Sequence, residues 1–117
     1  MGAEASASGL RPLVDAFIAA ANAFDVDAVT ALFATDAVID DPSTGHRFEG
    51  RAGVRDYIER FFLGYHTVTR LLLLESRGKN RVRARVDFTG DFGHEIGLLD
   101  ITVDDEGSIA WIDADLV

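Results

Sequence analysis

The chemistry-bearing residues of this chain gather in one short stretch, Ala37-Val38-Ile39-Asp40-Asp41-Pro42, followed closely by His46-Arg47-Phe48-Glu49-Gly50-Arg51. Carboxylates arrive at the end of an apolar strand, proline stops that strand, and the chain restarts as a helix, an arrangement that aims an acid into a cavity. A carboxylate beside apolar surface is costly to ionise, which moves its pKa toward the range useful for proton transfer. Asp100 is the second acid of interest. It interrupts the run Leu98-Leu99-Asp100-Ile101, and its period-two companions are Ile96, Leu98 and Thr102. A carboxyl in such company needs a partner or a proton. Two readings stand: Asp100 pairs with Arg70, Arg83 or Arg85 on a neighbouring strand, or it faces a pocket as a functional acid. His46 and His66 are the further acid/base candidates near neutral pH, against the plainer reading of solvated histidines at element ends. The three histidines have no metal-ligand spacing, so no metal is expected.

The elements that must position these groups follow from periodicity. Leu13, Phe17, Ala20, Ala21 and Phe24 recur at three- and four-residue intervals over Leu10 to Phe24, which predicts an amphipathic helix. Asp25 and Asp27 offer cap chemistry for a shorter second helix with Val29, Leu32 and Phe33 on its buried side. A strand over Ala37 to Asp40 and the turn Pro42 to Gly45 come next, with Phe48 the apolar residue of another short strand. A third helix is predicted from about Ala52 to Gly64, with Val54, Ile58, Phe61 and Phe62 on one side and Tyr57 at its margin. The period then switches to two, giving strands over Thr67 to Ser76, Arg81 to Gly90, His94 to Val103 and Ile109 to Leu116. Three short connections rich in glycine and aspartate or asparagine make these an antiparallel meander. Helices first and a meander last define an α+β fold.

Leu71 to Leu74 and Leu98-Leu99 with Ile101 are apolar on both strand faces, and the predicted helices cover only one of them. A homodimer through the outer face of the sheet is therefore expected. Arg81, Arg83 and Arg85 share a strand face, read as a solvated or interfacial stripe paired with carboxylates such as Asp113 and Asp115, or as an anion-binding stripe. Trp111 shares the face of those two acids, leaving Ile112, Ala114 and Leu116 to face inward.

Composition limits the function classes. The chain has 117 residues, of which 48% are hydrophobic and 26% charged, enough for one globular domain with a core of its own, expected over 10–117 after a frayed leader at 1–9. There is no cysteine, which excludes disulfide and thiolate chemistry and fits a cytoplasmic protein. No stretch approaches the roughly 18 apolar residues of a membrane span. The net charge of −9 with a single lysine, Lys79, repels phosphate backbones and anionic lipids, so neither nucleic acid nor membrane is an expected partner.

The helix pair, the Asp-Asp-Pro strand end, the Phe-Glu-Gly-Arg restart and the meander together resemble the nuclear transport factor two-like superfamily, in particular its SnoaL-like and ketosteroid isomerase-like members, from about Leu10 to Leu116. The resemblance implies a cone in which three N-terminal helices pack in a curved, mainly antiparallel sheet, with a pocket inside the cone. It implies a cofactor-free site with a general base at Asp41, beside a further acid at Asp40, and a protonated oxyanion-hole carboxyl at Asp100. The tyrosine that such isomerases carry on the first helix aligns with Phe17, which has no hydroxyl to donate. Pocket-lining positions are expected at Phe17, Phe33, Tyr57, Phe61, Leu98 and Leu116.

The leading expectation is a pocket for a small apolar carbonyl compound, with isomerase or cyclase chemistry in which Asp41 abstracts a proton and Asp100 stabilises the enolate. A non-catalytic ligand-binding or dimerisation module is the rival, favoured by Phe17. Water activation of the epoxide hydrolase-like kind, which uses an Asp-Arg-Asp set, comes third because no convincing triad is legible.

Overall fold

The computed structural model describes the backbone of residues 2–117 and the side chains from Gly9 onward; the leader expected over 1–9 lies largely outside the described side chains. The element order is α1 (Gly2–Asn22), α2 (Val26–Ala31), β1 (Phe33–Asp41), a 3₁₀ turn (Pro42–Thr44), β2 (His46–Glu49), α3 (Gly50–Ile58), a π-helical turn (Glu59–Leu63), then β3 (Val68–Ser76), β4 (Arg81–Gly90), β5 (Gly93–Val103) and β6 (Ile109–Leu116). The strands form one sheet in the order β2-β1-β6-β5-β4-β3. Every pairing is antiparallel except β1 with β6, the step at which the N-terminal unit joins the meander.

The α+β cone follows from which strand faces are apolar. On the inner face stand Ala37 and Ile39 of β1, Val82, Ala84 and Val86 of β4, Leu99, Ile101 and Val103 of β5, and Ile112 and Ala114 of β6, all buried. α1 adds Val14, Phe17 and Ala21, and α3 adds Val54, Tyr57 and Ile58. α1 lies against β3 and α3 against β1. Register shifts in the β1–β6, β3–β4 and β5–β6 ladders bend the sheet around these helices. Asp25 caps α2 as expected, its Oδ1 accepting from the amide of Ala28 at 3.1 Å. The edge strand β3 is clipped by Asn22, whose amide donates to Thr69 O at 2.9 Å and whose Oδ1 accepts from Thr69 N at 2.7 Å, replacing a missing strand partner.

Three local expectations need correction. Phe33 is fully buried but opens β1, opposite Ile109, rather than ending α2, because the chain turns extended directly after Leu32. α3 starts at Gly50, whose φ of 70° only glycine adopts cheaply, and Arg51 ties that start to β1 by donating twice to Phe33 O, at 3.2 and 3.0 Å. The helix then widens after Ile58: Gly64 N donates to Glu59 O at 3.0 Å and Thr67 N to Phe62 O at 2.8 Å, each five residues back.

The outer face of the sheet is a lattice of opposite charges. Arg83 is bidentate on Asp100, Arg81 reaches Asp113 at 3.8 Å, Arg47 reaches Asp40 at 3.4 Å and Arg70 reaches Asp87 at 3.5 Å. Trp111 lies on this face as expected, donating from Nε1 to Asp113 at 3.0 Å beneath the Arg47 guanidinium. Among the described residues no helix is long and apolar enough to cross a membrane.

Candidate functional site

The parity of β1 puts Ala37, Ile39 and Asp41 on the inner face, so the strand delivers its last carboxylate into the cone and leaves Asp40 outside. Pro42 ends β1 and starts the 3₁₀ turn, which folds Ser43 back over Asp41. Asp41 Oδ1 accepts from Ser43 N at 3.1 Å and from Ser43 Oγ at 2.6 Å, while Oδ2 accepts from the Tyr57 hydroxyl at 2.6 Å. Asp41 is only 7% exposed and Tyr57 8%. The carboxylate is thus held by hydroxyls and one amide, with no cation against it among the described residues.

Tyr57 comes from the third turn of α3 and is fixed by neighbouring rings: Phe48 at 5.0 Å, Phe61 at 5.2 Å and Phe62 at 6.2 Å between centroids. Burial pushes its phenol well above the ordinary tyrosine range, and the negative charge of Asp41 and the hydrogen bond to it act the same way. Tyr57 therefore stays protonated and donates.

These two groups sit on the wall of a cavity of about 300 Å³ at the open end of the cone. Its other walls are largely aromatic. Phe61 and Phe62, consecutive in sequence, both reach it because the helix widens there, and Tyr65, Phe88, Phe92 and Leu116 complete the apolar lining. Phe88 lies flat over β5 only because residue 97 is glycine; a Cβ there would stand 2.5 Å from the ring. Of the hydroxyls lining the cavity, Ser43 and Tyr57 donate to the Asp41 carboxylate, Thr44 to Asp41 O at 2.7 Å, and Thr67 to Phe61 O at 2.7 Å. The Tyr65 hydroxyl makes no hydrogen bond with the described residues.

A second, smaller cavity of about 170 Å³ lies on the other side of the sheet, against Asp40, Arg83, Leu98, Asp100, Asp113 and Asp115. Here the Arg83 guanidinium holds Asp100, with Nε to Oδ1 at 2.9 Å and Nη2 to Oδ2 at 3.0 Å. That hydrogen bonding lowers the Asp100 pKa against the opposing effect of burial, and the charges of Arg83, Arg81 and Arg77 lower it further.

A family model described as SnoaL-like domain matches residues 14–113. The chain belongs to the SnoaL-like family. Among solved structures, this SnoaL-like chain is similar to a candidate ketosteroid isomerase from Kribbella flavida, at 19% identity and a TM-score of 0.82 over 95% of this chain and 79% of the other. It is similar also to a candidate polyketide cyclase from Sinorhizobium meliloti, at 24% identity and a TM-score of 0.81 over 89% and 94% of the two chains. A third is the epoxide hydrolase/cyclase-like enzyme SalBIII of pyran ring formation in the polyether salinomycin, at 22% identity and a TM-score of 0.82 over 94% and 92%. At these identities the likeness establishes a shared fold.

Against that fold, the sequence-derived site divides in two. Asp41, Tyr57, Phe61 and Leu116 do line the cone cavity. Asp100 and Leu98 do not: their parity on β5 is the outer one, so the expectation that Asp41 and Asp100 face each other across the cone is corrected, and the arginine-paired reading of Asp100 is the one the structure supports. Phe17 and Phe33 are core rather than lining, packed edge-on at 5.9 Å in the closed part of the SnoaL-like cone. His46 pairs with Asp41 across the β1–β2 ladder but is exposed, its ring edge-on to Phe48 at 6.3 Å. His66 is exposed and bonds Asp91 at 2.9 Å, and neither histidine lines the cavity. The lining residues that sequence reasoning missed are chiefly Glu95, Phe88, Phe92 and Tyr65. Glu95 shares the parity of Gly97 and Leu99, the face opposite to that of Asp100, so it becomes identifiable once the inward face of β5 is known.

Proposed function

We propose that this SnoaL-like chain binds a small, largely apolar carbonyl compound in the cone and moves a proton at the carbon next to the carbonyl, with Asp41 as the base. The observation that carries the reading is the Asp41 carboxylate itself: nearly buried, at the wall of an aromatic cavity, and held by Ser43 and Tyr57 rather than by a cation. A guanidinium partner would lock the charge. Hydroxyl donors orient the carboxylate without setting a counter-charge against it.

In this mechanism Asp41 takes a proton from the α-carbon and the electron pair moves to the carbonyl oxygen as an enolate. Returning the proton to a different carbon completes an isomerisation; attack of the enolate carbon on a second carbonyl, whose oxygen takes up the proton held by Asp41, gives an aldol cyclisation. The enolate needs a donor, and Tyr65 is the lining hydroxyl whose proton no described residue takes. Tyr57 holds the carboxylate in line through both half-steps. The Asp-Arg pairing that water activation would need lies on the outer face at Asp100 and Arg83, which argues against the epoxide hydrolase-like reading.

The test uses 2-tetralone in heavy water, following loss of its α-proton NMR signal. Catalysed exchange that disappears in Asp41→Asn supports the base; exchange equal to the buffer rate, or unchanged in that variant, defeats it. A non-catalytic pocket has one observation in its favour, that the Ser43 contacts to Asp41 also serve as an ordinary Asp-Pro turn cap. That reading predicts binding of 2-naphthol, the aromatic analogue of the enol, without exchange.

We also propose that two copies pair through the outer sheet face. Leu73, 51% exposed, Arg85 and Leu98 form a row across β3, β4 and β5 there, and Leu72 stands out at the β3 bulge. Light scattering behind size exclusion should give a dimer mass, and Leu73→Glu should reduce it to a monomer.

A further inference from the structure

The charges around the cone cavity are one-sided. Its lining includes two carboxylates, Asp41 and Glu95, and no lysine, arginine or histidine. Arg60 lies over the rings of Phe48 and Phe61 and bonds Asp56 at 3.4 Å, and His66 bonds Asp91 at 2.9 Å. A bound anion would find no counter-charge in a cavity whose walls are mostly rings, within a protein of net charge −9.

Glu95 stands apart from the other acids of the sheet. Asp40, Asp87, Asp100 and Asp113 on the outer face each meet an arginine. Glu95, on the inner parity of β5, makes no ion pair or hydrogen bond with the described residues and turns toward the cavity mouth, directly across the ladder from Phe88. Beside it the mouth is built of rings, with Phe92 and Tyr65 edge-to-face at 6.1 Å. A free carboxylate next to aromatic faces is the environment that holds an ammonium group, through charge and through the ring quadrupoles together.

We propose that the cavity mouth is an ammonium subsite formed by Glu95 with Phe92 and Phe88, so that the preferred carbonyl compound carries a protonated amine at the end remote from Asp41 and anionic analogues are rejected. This rests on the pocket reading given above and adds the ligand's charge. No covalent step is involved.

Three 2-naphthols substituted at carbon 6, with methyl, aminomethyl or carboxylate, test it by calorimetric titration at neutral pH and low ionic strength. The aminomethyl compound should bind about three- to tenfold tighter than the methyl one, the size of an exposed cation–π contact with a mouth carboxylate, and the carboxylate compound about tenfold weaker. Glu95→Gln and Phe92→Leu should each lower the aminomethyl-to-methyl ratio about two- to threefold, with melting temperatures confirming that both fold. A ratio of one or less in the wild type, or a ratio unchanged by Glu95→Gln, overturns the subsite while the methyl compound's binding leaves the pocket reading intact. If the methyl compound itself does not bind, the pocket reading falls and the subsite with it.

Discussion

Asp41 and Asp100 are the same residue on two faces of one sheet, and their surroundings make them different chemical objects. Asp41, on the inner face, is held by two hydroxyls and an amide beside aromatic rings. Asp100, on the outer face, is clamped by a bidentate guanidinium that keeps it charged. Neither is generously exposed, so burial alone does not tell them apart. What separates them is the partner: Asp100 meets a positive charge, whereas Asp41 meets only neutral donors, which point the carboxylate without placing a counter-charge against it.

The sharpest way to break this contrast is to remove each carboxylate in turn. Asp41→Asn should cost about 10²- to 10⁴-fold in tetralone exchange, the usual worth of a positioned base, while Asp100→Asn should leave exchange within about twofold. Equal losses in both variants would erase the distinction. Tyr57→Phe comes next, because it strips Oδ2 of its donor in a buried place; a loss of about 1.5 to 3 kcal/mol is expected in urea unfolding. Its pH dependence has a defined sign. The folded-state pKa of Tyr57 is raised, so its contribution is complete below the ordinary tyrosine range and declines as pH rises through and above it. The wild type should therefore lose stability on the alkaline side more steeply than Tyr57→Phe.

Gly97→Ala probes the shape of the inner face rather than its charge. The added Cβ would collide with the Phe88 ring, costing about 1 to 3 kcal/mol and pushing that ring into the cavity, so 2-naphthol should bind more weakly. The smallest effect belongs to Asp100→Asn in stability. Since the Asp100 pKa is lowered on folding, its contribution is present at neutral pH and disappears as pH falls through the lowered value. The difference from wild type in acid titrations should close below the usual carboxylate range; a difference that persists there would mean that Arg83 is not its cause.

The legibility of the sequence follows the same division. Period-two alternation gave every meander strand nearly to the residue, and the Asp-Asp-Pro strand end marked a pair of acids, because both signals are local; the choice of Asp41 over Asp40 came from the family resemblance. The companions of Asp100 were also local and correctly read as Ile96, Leu98 and Thr102. Which of the two β5 faces turns toward the helices is not local. It is settled by register, through Arg83 opposite Asp100 on β4 and Asp113 opposite it on β6. Phe33 was misplaced because an apolar residue after a short helix satisfies either period. Tyr65 and Phe92 went unread for another reason, since they sit in connections where no periodicity operates and reach the cavity only because a helix end and a hairpin meet, with Asp91 N donating to Tyr65 O at 2.9 Å.

The widened turn at Glu59–Leu63 makes chain length a variable of the pocket as much as residue type. A π turn carries one residue more than the α turn it replaces, so deleting a single residue there would restore an ordinary helix and leave the chain after it in nearly the same phase. Phe61 and Phe62 could then no longer both reach the cavity, while Tyr65 and the sheet beyond Thr67 would keep their places. Natural or engineered relatives could in this way trade one binding preference for another through an indel, with no substitution at any lining position.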